Sequence, residues 1–292
     1  MRQISKIFLI VICTMALSWF LPWLWSFITP STSSTPFCAY SPILNNWIIA
    51  SDTNSSNKRF HDTKGNNYNT AQRDSLLPQL YYRDLMAHDR MPDRINGVNV
   101  TIPTLKHSEM VFMSNPRDVN KRAAKLMCIM ESLPGRVDLS DPTEAFRMNG
   151  SMEFIKMTTN EVNTDRSKRF SETLKNRGFQ YPLYDYSANI TAKKNYDEGY
   201  LMVDAIGNIF HVKQMAGRPY VAAIPQPDNM RAEKVYIMEN TDHTKLGFVI
   251  DTEYNIYMLR HDSKYYLTKM PVGKVNPHVD RIVIMGNMFN MV

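Results

Sequence analysis

Cysteine is scarce in this chain. Its 292 residues hold three, Cys13, Cys38 and Cys128, too few for the disulfide framework of a small secreted domain. An oxidising compartment would still permit a single Cys38–Cys128 bridge. The signatures of common chemistry are missing too. No glycine pair is spaced for a dinucleotide loop and no Gly-Lys-Ser/Thr closes a phosphate loop. There is no Gly-x-Ser-x-Gly elbow and no His-Glu-x-x-His zinc helix. Excess positive charge is slight: the formal net charge is +6, and basic pairs such as Lys121-Arg122, Lys168-Arg169 and Lys193-Lys194 are scattered rather than striped. Nucleic-acid binding therefore has no footprint here.

Charge is wholly absent from Ile7 to Ile28. About 20 apolar residues in a helix match the bilayer core, so this segment is expected to span a membrane. A secretory signal would have a shorter apolar run and a small-x-small cleavage site. Ala16-Leu17-Ser18 is the one rough match, and the deeply apolar Trp19–Trp25 follows it. Neither Cys13 nor Cys38 is preceded by the small residues of a lipidation site, so an uncleaved anchor is favoured. Arg2 and Lys6 precede the run, and positive flanks stay cytoplasmic. Trp19, Trp23 and Trp25 crowd its far end, where indoles favour the headgroup boundary. These features place the N-terminus inside, the anchor in the inner (cytoplasmic) membrane, and the bulk of the chain in the periplasm. The lipid bilayer is then the first partner.

The organisation read from the sequence is a cytoplasmic stub (1–6), an anchor (7–28), a polar tether (29–58) whose apolar Trp47–Ile49 could dock as a first strand, a mixed α/β part (59–180) and a strand-rich part (181–292). The last two are read as one continuous domain. The fold class is α+β, mostly β. Thr70 can cap a helix, and the helical spacing that follows it, divided by Pro78, predicts two short helices. Asn96-Gly97 between apolar residues predicts a tight hairpin. Weaker helical character lies in 105–112 and 120–132. Glu153–Met157 reads as a strand, and Thr164-Asp165 caps a helix that runs through Leu174 and ends at Gly178. From Gly199 onward short strands alternate with turn residues. The 20 methionines mostly occupy alternating or helical apolar positions, which favours core packing over soft-metal binding.

One pattern recurs. Asp204-Ala-Ile-Gly-Asn208-Ile-Phe and Asp251-Thr-Glu-Tyr-Asn255-Ile-Tyr each follow an apolar strand. Weaker copies contain Asp62 and Asn66, Asn160, and Asn287. Residues 160, 208 and 255 are spaced by 48 and 47 positions, and periods of 40–50 suit a propeller blade. The physical expectation is a hairpin whose tight turn uses Gly or Asn at positive φ, with Asp accepting backbone amides. A propeller-like domain is thus one expectation and a plain meander the other.

Few residues invite a catalytic reading. His61-Asp62, His88-Asp89 and His261-Asp262 repeat a dipeptide found in metal-dependent phosphohydrolases, but lie in turns or at a helix end. Asp197, Glu198 and Asp204 are a possible carboxylate group for an envelope hydrolase, or with Asp251 for Ca²⁺, though no EF-hand loop is present. Tyr181, Tyr184, Tyr186, Tyr196 and Tyr200 form an aromatic set that could offer a sugar- or protein-contact face, although such residues more often cover strand edges and core. No catalytic, cofactor or metal residue is assigned.

Several phrases resemble a known family: Asp74-Ser-Leu-Leu-Pro-Gln-Leu-Tyr-Tyr-Arg83, Ile95-Asn-Gly-Val98, Gly135-Arg-Val-Asp-Leu139, Tyr196-Asp-Glu-Gly-Tyr-Leu201 and Gly217-Arg-Pro-Tyr-Val221. They are similar to Bacteroidota envelope proteins classed only as a domain of unknown function. The resemblance spans residues 59–292 and implies a neighbour among ABC transporter components, with a permease or another envelope protein as partner. Family members also tend to continue into further membrane segments. The resulting expectation is a non-enzymatic, membrane-anchored accessory or binding module. The alternatives are an anchored envelope hydrolase and a solute- or glycan-sensing propeller.

Overall fold

A computed structural model describes residues 2–29, 37–50, 59–103, 105, 110–121, 126–133, 139–194, 196–240 and 243–286. It divides into two compact units, Met1–Met91 and Pro92–Val292.

The first unit begins with α1 (Arg2–Ile28). Its 26-residue apolar span has a mean hydropathy of 2.2 in its best window and buries none of that window against protein. The few hydroxyls donate back to their own helix, Thr14 to the Ile10 carbonyl, Ser18 to Met15 and Ser26 to Trp23. Such self-satisfaction is what a lipid-facing helix requires. Pro22 lies inside the helix.

Part of the segment read as a tether is folded, and Trp47–Ile49 lies in a strand as its apolar run allowed. β1 (Phe37–Ser41) and β2 (Asn46–Ala50) pair antiparallel, and β3 (Phe60–Asp62) and β4 (Asn67–Tyr68) extend the meander. Alternate residues Ala39, Ile48, Ala50 and Phe60 enter a small core with Leu77. Two short runs of alternating burial thus outweigh the polar composition around them. The rest of the tether, 30–36 and 51–58, lies outside the described residues. α2 (Thr70–Leu76) and α3 (Pro78–Ala87) divide at Pro78 as expected. The cap is Asn69 rather than Thr70: its side chain accepts from Gln72 N, and Gln72 reciprocates on the Asn69 amide.

The second unit opens with the hairpin β5 (Arg94–Ile95) and β6 (Val98–Asn99), with Asn96 and Gly97 at φ of 50° and 78°. β7 (Met110–Ser114) and the single turn α4 (Pro116–Val119) follow. A three-stranded meander β8 (Glu144–Met148), β9 (Met152–Lys156) and β10 (Val162–Asn163) leads into α5 (Thr164–Asn176). Two four-stranded meanders come next. The first is β11 (Asp185–Ala188), β12 (Tyr200–Val203), β13 (Ile209–Met215) and β14 (Arg218–Ala223). The second is β15 (Ala232–Ile237), β16 (Lys245–Asp251), β17 (Ile256–His261) and β18 (Tyr265–Lys269). Finally β19 (Ile282–Gly286) returns to pair with β7, Ile284 opposite Phe112.

The helix expected over 105–112 is therefore partly a strand, because Met110, Phe112 and Ser114 alternate inward against β19. In the other weak helical stretch, Met127 bridges Phe146 and Glu131 bridges Gln214, so 126–133 contributes bridges to two sheets. Residues 122–125 lie outside the described set.

Sheets pack face to face in chain order around three successive cores. β12 shows why it is buried throughout: Tyr200 and Met202 join the core shared with β8, β9 and α5, while Leu201 and Val203 join the core shared with β15–β17. Phe248 and Ile250 of β16 face a third core with Phe112, Ile282 and Ile284. Period-two alternation divides one strand between two interiors. Met127, Met148, Met152 and Met202 fill the first core, as the methionine pattern suggested. The result is mostly β with five helices among the described residues. The sheets form an open series there, not the closed ring of a propeller.

Candidate functional site

The recurring aspartates build one structural device three times. Asp62, Asp204 and Asp251 each accept two backbone amides on Oδ1, from positions two and four residues on, and the Asn side-chain amide on Oδ2. Tyr68 and Tyr257 hydroxyls add a bond to Oδ2 of Asp62 and Asp251, and Gln180 N does so for Asp204. Burial opposes ionisation of Asp62, but the Asn66 side chain and amide, with Tyr68, hold its carboxyl down at about 2. The lone pairs of these carboxylates are occupied by the hairpins themselves, with Gln180 completing the set at Asp204.

The positive-φ residues of these turns are Gly65, Gly207 and Tyr254, at 87°, 88° and 66°. Asn160 has φ of 58° and belongs with them, not with Asn208 and Asn255. Its loop is one residue longer, closed by Lys156 N to Glu161 O, and lacks the aspartate. The true repeat is thus 160, 207, 254, at even steps of 47. Asn287 lies outside the described residues.

The other candidate acids separate. Asp197 and Glu198 precede β12 and Asp204 follows it, so about 20 Å of extended chain divides them. Asp197 and Glu198 enter a buried charge cluster instead. Lys194 pairs with both Asp197 and Glu239, and Glu239 also accepts the Glu198 amide. Glu198 Oε2 lies 3.2 Å from Lys213 Nζ, and its Oε1 3.3 Å from His243 Nδ1. Burial works against the Lys213 ammonium, yet Tyr196 and Glu198 hold its pKa above the ordinary lysine value. His211 is fully buried, and that burial, helped by Lys213, drives its pKa to about 3. A neutral ring fits its contacts: Nε2 donates to the Glu198 carbonyl at 2.6 Å, leaving Nδ1 to accept from Tyr265 Oη at 2.9 Å. Paired charges tie the segment ahead of β12 to β13, and the neutral His211–Tyr265 hydrogen bond adds β18.

A sizeable concave feature lies elsewhere. The first strands of consecutive sheets converge on a cavity of about 770 Å³, reached by β7 with α4, the end of β8, β11 and β15. Drug-sized ligands occupy pockets of this order. Of the five tyrosines marked in the sequence, Tyr184 and Tyr186 line it. Tyr181 and Tyr200 pack with the first core instead, and Tyr196 joins the charge cluster.

β11 and β15 meet along this cavity without a backbone ladder. Asp185 Oδ2 accepts the Val235 amide at 3.0 Å, and Ser187 Oγ accepts the Ile237 amide at 2.9 Å. Lys234 Nζ lies 2.5 Å from Asp185 Oδ1. Burial pushes the Asp185 carboxyl above its usual range, opposed by Lys234. Sequence reasoning missed Asp185, Lys234 and Asp118. The alternation Tyr184-Asp-Tyr-Ser187 is the local signal, but its partners lie 50 residues away.

A mostly β protein of stacked antiparallel meanders, with an apolar helix ahead of it, is what these elements define. The chain belongs to the family described as a domain of unknown function (DUF4857), which matches residues 37–292. No curated protein and no solved structure matches it.

Proposed function

We propose that the protein is a non-enzymatic accessory or binding module held at the inner membrane by α1. Its N-terminus stays in the cytoplasm and the family domain works on the periplasmic side, beside an ABC-type transport or export system. The observation that carries this reading is α1 itself: a 26-residue apolar helix, unburied by protein, whose hydroxyls are satisfied internally. Trp19, Trp23 and Trp25 at its far end and Lys6 at its near end support the orientation. The transporter neighbour rests on the family resemblance.

The test is purification of the tagged full chain from solubilised native membranes. The protein is expected to resist carbonate extraction and to bring a permease or ATPase subunit with it. Release by carbonate would overturn the anchor, and recovery without any transporter subunit would overturn the partner. A hydrolase would need its acids in one accessible cleft. Asp204 instead closes a turn, while Asp197 and Glu198 are held by lysines, so the binding reading is preferred.

A further inference from the structure

The cavity at the first strands has a lining whose chemistry narrows its ligand. Its charges cancel in pairs: Lys121 Nζ lies 2.6 Å from Asp118 and Lys234 2.5 Å from Asp185. Among the described lining residues a charged ligand would find no uncompensated partner. The apolar wall from Met113, Met127, Met148 and Leu183 is matched by the polar groups of Asn115, Asp118 and Asn149. Tyr184 is 56% exposed. Its hydroxyl donates to Glu233 at 2.9 Å, which fixes an accessible ring in place.

An extended peptide adding to a sheet edge would need free edge amides. Those of Val235 and Ile237 are already taken by Asp185 and Ser187. What remains favoured is a ligand with apolar faces, many hydroxyls and no charge. We propose that the cavity is a carbohydrate-binding site for a neutral oligosaccharide, with Tyr184 as the stacking platform and Asn115, Asp118 and Asn149 as hydroxyl partners. Aromatic faces take the C–H face of a sugar ring, and amide and carboxylate groups bond its hydroxyls. The site deepens the binding-module reading and rests on it, but is independent of the transporter partner.

The test uses the full chain in lipid nanodiscs, free of glycosidic detergent, titrated calorimetrically. The probes are maltohexaose, cellohexaose, mannohexaose and chitohexaose, with hexagalacturonate and a blocked hexa-alanine peptide as contrasts. At least one neutral hexasaccharide is expected to saturate. Tyr184→Ala should weaken it at least tenfold, while Tyr184→Phe, which keeps the ring, should weaken it far less. Asp118→Ala, on the exposed turn of α4, gives a second variant should the tyrosine change disturb folding, and is also expected to weaken binding. The inference is overturned if no neutral hexasaccharide binds. It also falls if both alanine variants bind like the wild type, or if the hexagalacturonate or the peptide binds more tightly. Co-purification with a transporter subunit is read separately, so loss of sugar binding and loss of the partner are distinguishable results.

Discussion

A single carboxylate can do the work of several backbone bonds. Asp204 is fully buried and accepts four hydrogen bonds, and bonds to a charged acceptor are worth about 1.5–3 kcal/mol each when broken singly. Asp204→Ala is expected to destabilise the protein by roughly 3 kcal/mol, measured as a shift in denaturant midpoint of the full chain in detergent. Ala216 illustrates the opposite sign. It sits at φ of 50° in the β13–β14 turn, where a Cβ costs about 1–2 kcal/mol. Ala216→Gly should therefore stabilise by about 1 kcal/mol, and an unchanged midpoint would refute it. His211 supplies a pH dependence. Its native pKa of about 3 lies below the ordinary 6.5, so the unfolded chain binds the extra proton first. That contribution is full above about pH 6.5 and is lost as pH falls towards 3. Stability of the wild type should fall more steeply over this window than that of His211→Gln, and parallel slopes would refute the assignment. The aspartates were legible in the sequence because each turn is local. Asn160 was misphased because Asn suits both the positive-φ position and the position after it, and only backbone geometry separates them.

Elements were legible where their causes lie within a few residues. The Asn96-Gly97 hairpin, the break at Pro78 and the helix ending near Gly178 all have their reasons in adjacent sequence. Caps were displaced by one residue, since Asn69 and Asn163, not Thr70 and Thr164, supply the accepting side chain. Asn163 accepts the Arg166 amide and also donates to Glu144 Oε1 at 2.7 Å. Asn163→Ala is expected to cost about 1–2 kcal/mol, with loss of α5 protection in hydrogen exchange as the measurement. β7 was hidden for the contrary reason. Met110–Ser114 is flanked by sequence of helical character, and the strand that pairs with it comes near the end of the chain. The cavity was equally illegible, being built from the first strands of different sheets.

For the second unit as a whole, stability depends on cores shared between neighbouring sheets rather than on one interior. Ile284 is buried between β7, β16 and β17, and Ile284→Ala should cost about 2–5 kcal/mol. Because β12 and β16 each serve two cores, the loss is expected to lower one cooperative transition for the entire unit. Separate melting of the β7/β19 sheet would contradict this.

The pairing of β7 with β19 also has a consequence in time. Ser114 and its partner Ile282 are separated by about 170 residues. At 5–20 residues per second, synthesis keeps the first strand waiting on the order of ten seconds or more for its mate. Until then Phe112 and Met110 have no finished shelter, and the third core is a wall short. The third core of the nascent chain thus stays open until β19 has been made, however early the sheets between the two strands form.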